Sequence, residues 1–224
     1  MIYFYVKKLF ILFSLSVFLF SCTPKEMKIN LYTADIEAVK NGEKVLVPVE
    51  LTFTMPGKDK DNALEKAKMV VKNYLPPDST FTITKGKYSK FFVVKTKLPL
   101  TTMTNSDKHL GILTFYKSKR GPNFGSVQFN PSKKLIGELN KKLRKINFAL
   151  SLNLPATNYL VRVISDSKEP FTINAYSTWV SKKPYVFFNK TINRREEVEL
   201  SYKGSSASIY SQIPVFFNVQ FGKL

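Results

Sequence analysis

A chain of 224 residues, 44% of them hydrophobic, is long enough to bury a core of its own. Its 35 Lys and Arg against 16 Asp and Glu give a net charge of +19, which favours anionic partners: phospholipid headgroups, lipopolysaccharide, acidic glycans or nucleic acid. A single cysteine and a single histidine exclude a disulfide framework within the chain and His-rich zinc sites.

The chain opens with Lys7 and Lys8 ahead of an apolar run from Leu9 to Phe20, interrupted only by Ser14 and Ser16. A basic segment followed by a short apolar one is the pattern of an export signal. Twelve helical residues span roughly 18 Å, well short of the ~30 Å of bilayer hydrocarbon. An uncleaved anchor is the alternative, but it would draw Lys7 and Lys8 into hydrocarbon. At the boundary, Leu19-Phe20-Ser21-Cys22 resembles the lipobox of bacterial lipoproteins, with Phe20 a less common occupant of its position. The resemblance implies a signal peptide over residues 1–21, cleavage before Cys22, diacylglycerol on its thiol and acylation of the new amino terminus. Two or three acyl chains such as palmitate hold a protein stably on a membrane. Thr23, where Asp would mark inner-membrane retention, resembles an outer-membrane sorting signal of the enteric type. Processing would leave 33 basic against 16 acidic residues, a net +17.

Residues 22–26 read as a lipidated tether. Val45 to Met55 alternates apolar and polar residues as a half-buried strand does, and Pro48, which cannot donate to a ladder, suggests an edge or a bulge. Asp61 to Leu75 carries Ala63, Leu64, Ala67, Val70, Val71 and Tyr74 at helical spacing, with an acidic start and Pro76-Pro77 as its stop. Strands follow at 80–84, 90–98 and 110–117, and a turn at 121–125 leads into a strand at 126–129. A second amphipathic helix is expected over 131–147, with Pro131 in its first turn and Asn130 as its cap. Its stripe is Leu135, Leu139, Leu143 and Ile146, and its opposite side carries Lys133, Lys134, Lys141, Arg144 and Lys145.

The remainder reads as strand and turn, through Phe148, Leu150, Leu152 and Leu154, then 171–175, 198–202 and 215–221. The expected architecture is therefore α+β: an α+β domain over 27–150 and a β-rich, sandwich-like lobe over 151–224.

Leu31 to Ile36, Val47 to Pro56 and the motif Glu197-Val198-Glu199-Leu200-Ser201 resemble a group of uncharacterised lipoproteins of bacterial and phage or mobile-element genomes. That resemblance implies no activity and transfers no catalytic residue.

No Gly-x-Ser-x-Gly elbow and no phosphate-binding glycine loop occurs. His109 reads as a polar residue beside a strand, and Glu197 and Glu199 as a solvated strand face rather than a carboxylate pair. The pairs Phe91-Phe92, Phe187-Phe188 and Phe216-Phe217 suit strands covered on both faces. They would also suit a single-strand nucleic-acid groove, a role that export argues against.

The expected function is a non-enzymatic binding or structural module of the cell envelope, with no metal or cofactor, facing an envelope protein, a glycan or anionic lipid. The alternatives are exclusion of a competing phage or plasmid, and carriage of an apolar ligand. Lys133, Lys134, Lys141, Arg144 and Lys145 are the candidate contacts for an anionic surface. Frequent Lys, Asn, Ile and Phe also follow from AT-rich coding, in which case these cations serve solubility alone.

Overall fold

The computed structural model describes residues 24–56, 62–85, 89–104, 108–147, 150–154, 157–202 and 215–222. The expected signal peptide and Cys22 lie outside them. In chain order the elements are β1 (Pro24–Tyr32), α1 (Thr33–Lys40), β2 (Val45–Pro56), α2 (Ala63–Lys72), β3 (Thr80–Lys85), β4 (Ser89–Thr101), β5 (Gly111–Lys117) and β6 (Phe124–Pro131). They continue with α3 (Lys133–Ile146), β7 (Asn158–Ile164), β8 (Phe171–Val180), β9 (Lys183–Ile192), β10 (Glu197–Tyr202) and β11 (Val215–Phe221).

Nine strands close into a barrel in the order β10-β7-β1-β2-β4-β5-β6-β11-β8, and the ring is completed where β8 meets β10 at Leu200↔Val180 and Ser201↔Trp179. β3 pairs outside this ring with β4, and β9 pairs outside it with β8. This corrects the expected α+β fold with two amphipathic helices and a sandwich-like lobe. The strands after residue 150 do not pack as a layer of their own: β7 inserts parallel to β1, and β11 sits between β6 and β8.

Alternation builds the interior. Met27, Ile29 and Leu31 of β1 point inward, as do Val47, Val49, Leu51 and Phe53 of β2, Phe92, Val94, Leu98 and Leu100 of β4, and Val161 and Val163 of β7. Outward positions carry charge, with Lys28 bridging Glu26 and Glu50, and Arg162 meeting Glu197 at 2.6 Å. An apolar inside and a charged outside reverse the pattern of barrels that span membranes. No helix among the described residues is long and apolar enough to cross one. Where a large ring must cross the interior, a neighbouring strand supplies glycine: a Cβ at Gly111 would come within 2.5 Å of the Phe129 ring, and one at Gly125 would overlap Phe115.

Several local expectations change. Pro48 is not on an edge strand; β2 lies between β1 and β4, and Pro48 falls just past the end of the β1 ladder at Ile29↔Val49. Residues 24–26 are not a loose tether, because β1 begins at Pro24, opposite Phe53. Pro131 ends β6 instead of opening α3, Ser132 caps the helix by accepting from the Leu135 N–H, and the Asn130 amide turns to Thr114 Oγ1 at 2.6 Å. The expected start of α2, Asp61, lies outside the described residues, and the helix begins after Asn62 in a left-handed conformation. Leu150, Leu152 and Leu154 are buried as their alternation suggests, but they form no strand. The Asn140 side chain on α3 takes the place of a strand partner, bonding both the N–H (2.6 Å) and the carbonyl (3.1 Å) of Leu152. Phe148 lies outside the described residues.

Candidate functional site: a cationic helix pair at one end of the barrel

The strand directions place α2, α3 and the segment 150–154 at the end of the barrel where β1 begins. α2 follows Pro56, whose neighbours in β2 lie opposite the start of β1, and α3 follows Pro131, opposite Gly111 at the start of β5. The helices pack on one another and on the barrel floor. Leu64, Ala67 and Val71 of α2 meet Phe53 and Phe92, and Leu143 of α3 joins them. Leu139 and Leu143 are buried, while Leu135 and Ile146, expected in the same stripe, are half-buried.

Burying that stripe sets the cations. Lys133, Lys134, Lys141, Arg144 and Lys145 are all exposed, as the helical spacing predicts. At 100° per residue they fall within an arc of about 120° opposite the leucines. Sequence reasoning missed that α2 extends this surface. Across α2 and α3 there are nine Lys and Arg against two carboxylates, Glu65 and Glu138. Lys142 additionally lies 5.1 Å from the centroid of the Tyr74 ring, just past α2.

The opposite end is built differently. α1, for which the sequence offered no helical expectation, lies across the barrel mouth with Ile36 and Val39 fully buried. Its start is held from a distance. Asp166 Oδ1 accepts from the Ala34 N–H (2.9 Å) and the Thr33 hydroxyl (3.1 Å), and that hydroxyl in turn accepts from the N–H groups of Asp166 and Ser167 (3.1 Å each). At its other end the Lys40 ammonium reaches Asn123 Oδ1 (3.2 Å) and sits 4.4 Å over the Phe221 ring. Desolvation, with the Asp166 carboxylate adding to it, raises the Asp35 carboxyl above its ordinary range; Glu37 is raised chiefly by desolvation too.

The other singled-out residues are not brought together. His109 is half-buried, and its proton affinity is lowered by desolvation and by Lys44 and Lys108, so among the described residues the charges acting on it are cations. Glu197 and Glu199 point outward between buried Val198 and Leu200, with Glu197 paired to Arg162, and Glu196 Oε2 accepts from the Asn193 N–H within a turn. Of the phenylalanine pairs, Phe216 and Phe217 are both buried at a bulge in β11, Phe92 is buried beside a half-buried Phe91, and Phe187 is half exposed on β9. Among the described residues no three His, Cys, Asp or Glu side chains gather as metal ligands.

No curated protein matches the chain. A family model described as Domain of unknown function (DUF7424) matches residues 25–202, which is β1 through β10; β11 lies beyond the match although it forms part of the ring. The match covers well over half of the chain, so the protein belongs to the DUF7424 family.

Proposed function

We propose that the chain is a lipoprotein of the cell envelope, held to a membrane, by its sorting residue the outer one, through lipid on Cys22. It presents its barrel as a non-enzymatic binding or structural module. The observation that carries this reading is the distance between the lipobox-like boundary and the fold. β1 begins at Pro24, two residues after Cys22, and two residues reach at most about 7 Å. An anchor there holds the α2–α3 end of the barrel at the headgroup layer and turns the α1 end away from the membrane. Two cavities among the described residues hold about 20 Å³ and 10 Å³, room for a water molecule at most; their walls are mainly apolar, with Thr96 and Ser151 the polar members, and neither would admit the apolar ligand of the carrier alternative.

Metabolic labelling of producing cells with a clickable palmitate analogue tests the anchor. Label is expected on the wild-type chain and absent from Cys22→Ala, and equal labelling of the two would sink the reading.

A further inference from the structure

We propose that α2 and α3 together form a docking face for anionic phospholipid headgroups of the membrane on which the chain is anchored; the identity of that membrane surface rests on the lipoprotein reading. Three observations converge. The helix pair closes the end of the barrel from which the chain leaves toward Cys22, so this surface is the one that a two-residue tether brings to the bilayer. Its charge is one-sided, with nine cations and two carboxylates on the two helices, whereas α1 at the far end has two carboxylates and one lysine. Outside the helices cations also outnumber carboxylates, but several of them are paired: Lys28 meets Glu26 and Glu50, Lys97 meets Asp78 at 3.1 Å, and Arg162 meets Glu197.

The chemistry suits headgroups better than a folded partner. Lysine dominates, and an ammonium on a four-carbon stem acts as a mobile point charge, adapted to a fluid array of phosphates more than to a fixed bidentate contact. α3 exposes no large apolar side chain and α2 exposes one, Met69, so the face would rest on the headgroups mainly through its cations. Attraction of this kind grows with each lysine near the surface and is screened by salt. It would fix the orientation of the barrel, which a lipid on a short tether does not do alone.

The test uses the chain from Thr23 to Leu224, which retains every described element from β1 to β11 and lacks the anchor, so its outcome is independent of the palmitate experiment. Partition is measured by sedimentation with vesicles of phosphatidylcholine alone or mixed with phosphatidylglycerol. Expected is a preference for the anionic vesicles that fades as salt is raised and falls more than about tenfold when Lys133, Lys134, Lys141 and Lys145 become glutamine. Replacing Lys95, Lys97, Lys117 and Lys119, exposed cations of strands and turn, removes the same charge elsewhere and is expected to leave most of that preference. Equal loss in the two variants would reduce the effect to net charge and overturn the proposal. So would an absence of any salt-sensitive preference, or binding to soluble heparin with none for anionic vesicles.

Discussion

At one mouth of the barrel α1 is held by hydrogen bonds to a distant loop and flanked by carboxylates; at the other α2 and α3 are held by leucine and alanine contacts and turn lysines to water. Both closures solve the same problem, since an apolar interior needs a lid, but they store their stability in different places. The polar lid depends on a few groups that lose their partners all at once. The apolar lid depends on buried volume, which leaves its outer face open to any composition that stays soluble, and a strongly cationic one can accumulate there without cost to the core.

The sharpest way to break the apolar lid is Leu143→Ala. The side chain is buried between α2, the barrel floor and Leu150, so its removal is expected to destabilise the protein by about 2–5 kcal/mol, read from thermal unfolding, with hydrogen exchange rising first in α2 and α3. Exchange rising equally in α1 would mean that the two lids open as one unit.

Thr33→Val tests the polar lid. Valine preserves the volume of a fully buried position but leaves the N–H groups of Asp166 and Ser167 without the hydroxyl they donate to, an expected loss of about 1–3 kcal/mol. Here protection should fall in α1 and in residues 165–170 while α3 is unchanged.

The smallest effect is titration of the same lid. The folded-state affinities of Asp35 and Glu37 for protons are raised, so the folded form favours the protonated carboxyls. Their contribution is complete below the unfolded values near pH 4 and is lost as pH rises through the raised folded values. Wild type should therefore gain a little stability between neutral pH and about pH 5 relative to Asp35→Asn/Glu37→Gln, measured by denaturant midpoint. Parallel pH profiles would show that α1 carries no such linkage.

Much of this contrast was legible at the level of single elements. Val45 to Met55 and Val198 to Tyr202 alternate and are strands, and the leucine spacing in α3 separates its buried stripe from its cations. α1 escaped because eight residues carry only Ile36 and Val39 as a stripe; Asn41-Gly42, which ends the helix with Gly42 at φ +101°, was the available signal. Leu150, Leu152 and Leu154 misled in the opposite direction, because alternation reports one-sided burial and not a hydrogen-bonded neighbour.

The sequence by itself determined which residues are apolar, at what period, and therefore which faces of β2, β10 and α3 are buried, since those depend on neighbours a few positions apart. It also determined the one-sided charge of α3. Only the tertiary structure decided that β7 pairs in parallel with β1, that β11 fits between β6 and β8, and that the ring closes at Val180 and Leu200. Strand partners are chosen by hydrogen bonds any backbone can make, among segments as near as Val180 and Leu200 and as far apart as Ile29 and Val161. For the same reason only the fold could set α2 beside α3, at the end of the barrel where the chain begins.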